Sequence, residues 1–238
     1  MLALCAICGV RAESLNSQLS TLNLIENDSV AIEQINIVAN RATKTTPIAH
    51  TNLSRQEIEE RNYGEDIPSL LANLPSVVIS SESGTGIGST SFRVRGTDPT
   101  RINVTLNGVP MNDAETHSVY WYDTPDLVSS LGSVQLQRGV GTSTAGTGAF
   151  GASLNMTSAP SASKFSGRAS LSYGSFNTAK QEIALSSGLL GGHWAIDARL
   201  SHLSSDGYVE RASSNLSSYL FQAGYYNGRT SVKLLSFG

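Results

Sequence analysis

"FRVRGTDPTRINVTLNGVP", residues 92–110, is the stretch on which the reading of this chain turns. Apolar and polar side chains alternate, the chain turns, and the alternation resumes, so the stretch reads as a stiff polar hairpin. Arg93 and Arg95 lie in its first run, and Asn107-Gly108, a turn pair, punctuates the second. Upstream, "SVVIS" (76–80) reads as a strand and "SESGTGIGSTS" (81–91) as a Gly/Ser loop. Two helices precede them. "LSRQEIEE" (53–60) starts at Ser54, and Glu57 three positions later completes a capping box. "DIPSLLANLPSV" (66–77) starts at Asp66 and offers Ile67, Leu70, Leu71 and Leu74 as one apolar face. Downstream come a polar-aromatic loop (111–125), a short helix (125–131), and the strands "SVQLQRG" (133–139) and "SLNMTS" (153–158). The first half is thus an α+β unit of about four strands in a mixed sheet with short helices.

From Ser161 onward the texture changes. In "FSGRASLSY" (165–173), Phe165, Ala169, Leu171 and Tyr173 share one side, opposite Ser166, Arg168, Ser170 and Ser172. In "HWAIDARLSH" (193–202), Trp194, Ile196, Ala198 and Leu200 oppose His193, Asp197, Arg199 and Ser201. Tyr219, Phe221, Ala223 and Tyr225 line up in the same way. Strands of about nine to eleven residues with tight and long connections in alternation fit an outer-membrane meander. A soluble antiparallel sheet with one wet face shares the alternation. Too few strands are present to close, so the chain is expected to be the N-terminal part of a longer protein, its barrel truncated.

Composition narrows the classes. Only 15% of residues are charged and the net charge is −3, which argues against a nucleic-acid partner. No window holds the roughly 18 apolar residues of a membrane-spanning helix. Residues 2–10 are apolar and lead into Val10-Arg11-Ala12, so residues 1–12 read as the tail of an export signal. Cys5 and Cys8 both fall inside that leader, so the exported chain relies on packing and not on disulfides. Residues 13–32 read as a flexible arm.

Taken in order, "LLANLPSVVIS", "FRVRGTDPTRINVTLNGVPMND" and "DLVSSLGSVQLQRGVGTSTAGTGAFGASLNMTS" resemble the plug domain of TonB-dependent outer-membrane receptors. The resemblance spans residues 33–160, and residues 161–238 look like the first barrel strands of the same family, in the style of Bacteroidetes receptors. Departures are Asn107 where Asp is usual, Gln135 for an acidic residue, Val140 for Pro, and Phe150 near the usual Tyr-Gly. The resemblance implies a barrel of about 22 strands closed by a plug. It implies import of a scarce, large nutrient, of the ferric siderophore, haem or cobalamin class, powered by the inner-membrane partner TonB. The small-molecule or metal-chelate substrate is captured on the outer face of the outer membrane. Without the usual regulatory domain in front, a glycan importer of the same family is a weaker alternative. A non-transport adhesin or structural barrel is another.

The family also implies site residues. Ile35, Asn36, Ile37, Val38, Ala39 and Asn40 stand where the TonB box should be, short, extended and fit to add as a strand to a partner. The same run also reads as an ordinary first strand of the plug. Arg95 and Arg138, the two "RG" arginines, match those that pair with barrel glutamates, expected beyond Gly238. Substrate-facing candidates are Ser83, Thr85 and Ser89 in one apex loop, and Asp113, His117, Tyr120, Trp121 and Tyr122 in another. The aromatic trio reads equally well as packing against the barrel wall. No cofactor, metal site or enzymatic chemistry is expected. "GTGIGS" (84–89) leads into a strand and not a helix, which disqualifies it as a nucleotide loop. "GTSTAG" (141–146) lacks a nucleophile-elbow frame. Asp113, Glu115 and His117 lack a fourth metal ligand.

Overall fold

The computed structural model describes residues 20–23, 41–43, 45–141, 149–227 and 230–238. The leader, most of the arm and the candidate box at 35–40 lie outside the described residues. One strand of the arm, β1 (Ser20–Asn23), is described, and it joins the second of the two units below.

The first unit begins with β2 (His50–Ser54) and α1 (Arg55–Arg61). The capping box forms as its sequence demands. The Glu57 backbone N–H donates to Ser54 Oγ at 3.4 Å, and the Ser54 N–H donates to Glu57 Oε2 at 2.8 Å. α2 (Ile67–Leu70) follows, and Ile67, Leu70, Leu71 and Leu74 are all buried. Asp66 stands at its N-cap position but makes no capping bond; its carboxylate accepts the Thr90 hydroxyl at 2.9 Å instead.

The reading of 92–110 as one hairpin is corrected. β4 (Thr90–Val94) pairs backwards with β3 (Val77–Ser81), not with β5 (Ile102–Leu106). Arg95 and Gly96 both take positive φ (53° and 77°), which reverses the chain tightly after β4. A 3₁₀ turn at Pro99–Arg101 then delivers β5 to a different sheet. The hairpin proper is smaller: Asn107-Gly108, again at positive φ, joins β5 to β6 (Val109–Pro110). With β7 (Leu131–Arg138) and β8 (Ala152–Ser158), the sheet order is β2-β7-β8-β5-β6, five strands where the sequence led us to expect about four. The β5–β8 pair is parallel and the others antiparallel, so the sheet is mixed. Leu136, Ala152 and Leu154 are fully buried at its centre, as is Leu71 at the end of α2.

The second unit is one antiparallel sheet. β9 (Ser166–Tyr173), β10 (Ala179–Ser186), β11 (Trp194–Ser205), β12 (Ser214–Asn227) and β13 (Thr230–Phe237) follow each other in space, with β1 added on the free side of β9. Its period of two is sharp. Leu171, Ile183, Leu185, Trp194, Leu200, Tyr219, Val232 and Leu234 face outward and exposed. Lys180, Glu182, Arg199, Ser201, Ser218 and Gln222 face the first unit and are buried. This inverts a soluble protein: the apolar face is bare and the polar face is covered. Lipid is the solvent that suits such a face. No helix among the described residues is long and apolar enough to cross a membrane, which says nothing against strands.

The sheet has two different edges. One carries the connections 187–193 and 228–229, the latter the shortest; the other carries 174–178 and 206–213, the latter the longest. The linker out of β8 meets the short edge, where the Leu189 N–H donates to the Ser163 carbonyl at 3.0 Å.

Candidate functional site

At the long-loop edge, three loops form one rim. The Tyr208 and Val209 N–H groups both donate to the Ser83 carbonyl, at 2.9 and 3.1 Å. The Asp206 N–H donates to the Phe176 carbonyl at 2.9 Å, and the Phe176 and Tyr208 rings meet edge to face at 5.4 Å. The plug's loop 81–89 is thereby fixed to the wall's loops. Its glycines explain how. Gly84 sits at φ +72°, and a Cβ there would meet the Tyr208 ring at 3.0 Å. Between the plug's loop 81–89 and the wall's loop 174–178 opens a cleft of about 600 Å³, walled by Tyr63, Glu65, Ser69, Thr85, Ile87 and Phe176 among others.

Of the expected substrate-facing residues, Thr85 lines this cleft. Ser83 is buried beneath it, donating to the Ile87 carbonyl at 2.7 Å, so it shapes the loop. Ser89 is exposed on the loop's shoulder, outside the cleft lining. The second apex loop contributes nothing to the cleft. Asp113 folds its own turn, accepting from the Glu115 and Thr116 N–H groups and the Thr116 hydroxyl. Those bonds, Thr116's first, hold its carboxyl below the ordinary aspartate value. His117 is exposed at φ +57°. Trp121, by contrast, is 2% exposed and packs on Phe92 at 6.2 Å, so it is core and not apex. Tyr120 and Tyr122 remain exposed, their rings 5.6 Å apart. Arg138 donates to the Pro75 carbonyl at 2.9 Å and to Thr51 Oγ1 at 2.6 Å. Burial first, and then the neighbouring Arg95 guanidinium, push its pKa below the usual arginine value. Arg95 is exposed and its guanidinium has no partner among the described residues.

A charged seam seats the plug on the wall, and the sequence reading missed it. Asp126, 1% exposed, accepts Lys180 Nζ at 2.6 Å through Oδ1 and Arg199 Nη1 at 2.5 Å through Oδ2. Ser129 Oγ donates to the same Oδ1 at 2.6 Å, and Glu182 flanks Lys180 at 3.2 Å. Two carboxylates thus meet two cations, a balanced set. Burial alone would raise the Asp126 pKa; Lys180 and Arg199 outweigh it and hold the carboxyl below its ordinary value. A small cavity of about 40 Å³ adjoins Ser129, Lys180 and Glu182, room enough for water. A second clasp holds the linker: Ser161 Oγ donates to Asp197 Oδ2 at 2.5 Å, and Gln222 Nε2 donates to Ser161 Oγ at 3.0 Å. The legible signal was Lys180, Glu182 and Arg199 on the covered face of alternating strands, where each demands a partner from whatever fills the lumen.

Comparison with known families meets this geometry. The family profile described as TonB-dependent Receptor Plug Domain matches residues 42–153, the first unit. Residues 42–153 are a TonB-dependent receptor plug domain. The ferripyoverdine receptor of the Pseudomonas aeruginosa outer membrane superposes with a TM-score of 0.67 at 19% identity, covering 81% of this chain and 25% of that one. The ferric yersiniabactin uptake receptor FyuA from Yersinia pestis gives 0.63 at 16%, covering 80% and 31%. The siderophore receptor PirA from Acinetobacter baumannii gives 0.62 at 14%, covering 79% and 31%. At these identities the likeness is one of fold: plug, linker and first wall strands. No curated protein matches the sequence. The chain spans a quarter to a third of the length of these three receptors. As a TonB-dependent receptor plug, residues 42–153 sit in the outer membrane, against the inner face of a barrel wall.

Proposed function

We propose that this chain is the plug and leading wall of an importer that captures a siderophore-type metal chelate at the long-loop rim and releases it inward when TonB pulls on the plug. The observation that carries the reading is the rim itself: the plug's loop 81–89 and the wall's loop 174–178 line one cleft of about 600 Å³, and the wall's loop 206–213 is bonded to both. A ligand in that cleft touches plug and wall together, so binding reports directly on how the plug is seated. The siderophore receptors among the structural neighbours support this substrate class.

Energy enters at the other end. Residues 35–40 are proposed as the TonB box, adding to TonB as a strand. Arg95 and Arg138, two neighbouring guanidinium groups, are proposed to take carboxylates from wall strands beyond β13. Such polar seats suit a plug that must move. A charged contact in a wet lumen exchanges for water, whereas an apolar interface would resist exposure.

The test is uptake of radioiron as a ferric siderophore by cells carrying the complete receptor, with and without residues 35–40. The proposal expects surface binding to persist and uptake to vanish on deletion. Undiminished uptake sinks the box; binding with no uptake even in the intact receptor favours an adhesin or structural barrel.

A further inference from the structure

The cleft has a charge character that its shape alone does not require. Glu65 is the one ionisable acid or base at its wall among the described residues, apart from the Tyr63 and Tyr173 phenols. It is half-buried, and its carboxylate makes no ion pair or hydrogen bond among the described residues. Burial raises its pKa above the ordinary glutamate value, the mark of a carboxylate losing water without gaining a counter-ion. It is held in place by the apex loop: a Cβ at Gly86, φ +77°, would lie 3.3 Å from the Glu65 carboxyl carbon. The three rim loops add Glu82, Asp206 and Glu210 against a single cation, Arg211. Four carboxylates against one guanidinium give the rim a negative field, which repels anions and draws cations.

The remaining wall offers ring faces and hydroxyls. Phe176 is the notable one. It sits at φ +56°, a conformation costly for a bulky residue, and still leaves 46% of its surface exposed. Its carbonyl is bonded by Asp206 and its ring is braced by Tyr208, so the strained turn is held by the neighbouring loop. Tyr63 supplies a second exposed ring, and Ser69, Ser81 and Thr85 supply hydroxyls.

We infer that this cleft selects a ferric chelate of zero or positive charge, of the hydroxamate type, whose amide-rich arm lies on Phe176 and whose cationic end meets Glu65. Three singly charged hydroxamates cancel the iron's charge, and a terminal ammonium makes the complex a cation. Three doubly charged catecholates leave a trianion, which the rim repels. The inference rests on the import reading above and deepens it.

The experiment uses the full-length receptor in detergent and three probes: the ferric complex of a linear trihydroxamate bearing a free amine, the same complex with that amine acetylated, and a ferric tris-catecholate. Binding is read by fluorescence quenching and uptake by radioiron. The amine-bearing chelate is expected to bind at least about ten-fold tighter than the tris-catecholate. Glu65→Gln should weaken the amine-bearing chelate about five-fold or more and leave the acetylated one unchanged, which general damage to the cleft would not do. Phe176→Ala should weaken both hydroxamates equally. Equal or tighter binding of the tris-catecholate overturns the inference while leaving import intact, as does an equal loss for both hydroxamates in Glu65→Gln. Failure to bind or import any of the three overturns the siderophore reading and this inference with it.

Discussion

Asp126→Asn is the sharpest perturbation of the plug's seat. In the native protein one buried carboxylate serves two cations from two wall strands, Lys180 and Arg199. The amide keeps the shape and loses the charge. Lys180 retains Glu182 at 3.2 Å, but Arg199, 6% exposed, is left with no carboxylate partner among the described residues. Breaking a buried pair by neutralising one side costs about 3–5 kcal/mol. The water-sized cavity beside Lys180 softens the loss, so the lower end, about 3 kcal/mol, is the expected figure. At about 1.4 kcal/mol per decade, that multiplies the population of unseated plug roughly a hundred-fold. Hydrogen exchange of the β7 and β8 amides in the full-length receptor reads that population, since these strands exchange when the plug opens. Exchange should accelerate about a hundred-fold in Asp126→Asn. Replacing all three side chains (Asp126→Leu, Lys180→Met, Arg199→Met) should restore most of the protection, because no orphan charge remains. A change below about three-fold in the single variant, or a triple variant worse than the single, refutes the view that this cluster seats the plug.

Three further outcomes follow from single side chains. Asp66, buried against Thr90, has its carboxyl pushed up to about 6, chiefly by burial, from an ordinary 3.8. Between those values the folded plug binds more protons than the unfolded chain, so denaturation midpoints should fall as pH rises through that window; Asp66→Asn should flatten the profile, and a flat native profile contradicts the assignment. Gly84→Ala forces a Cβ onto the Tyr208 ring from a left-handed backbone. It should lower chelate affinity by loosening the rim while leaving β7 and β8 protection unchanged. Ser54→Ala removes half of the α1 capping box, and local exchange in Arg55–Arg61 should report a loss of about 1 kcal/mol.

Much of the architecture was legible because it is local. The Ser54/Glu57 box, the burial of Leu70, Leu71 and Leu74 and the period-two wall strands depend on neighbours a few residues apart and formed as read, although the helix under those leucines stops at Leu70 and turns carry the rest. The 92–110 stretch was misjudged because strand partners are not local. Alternation marks β4 and β5 as strands but is silent on whether Arg95-Gly96 folds them together or sends them to separate sheets. Asp66 misled in the same way: its position says cap, yet Thr90, 24 residues on, bids for the carboxylate and wins. The seam lay further still. Asp126 meets partners 54 and 73 residues away, and an acidic residue after a proline gives no sign of that. Trp121 looked like part of an aromatic apex because Tyr120 and Tyr122 flank it, but only burial separates the three.

The account stands on residues 161–238 being a wall with lipid on one side and the plug on the other. Spin labels placed one at a time along Trp194–Ser205, in the full-length receptor in lipid, measure this through collisions with oxygen and with a water-soluble relaxing agent. The predicted result alternates: labels at Ile196, Ala198 and Leu200 collide with oxygen, while labels at Asp197, Arg199 and Ser201 meet neither agent freely. Uniform exposure to the water-soluble agent along the strand, or a period near 3.6, would contradict it.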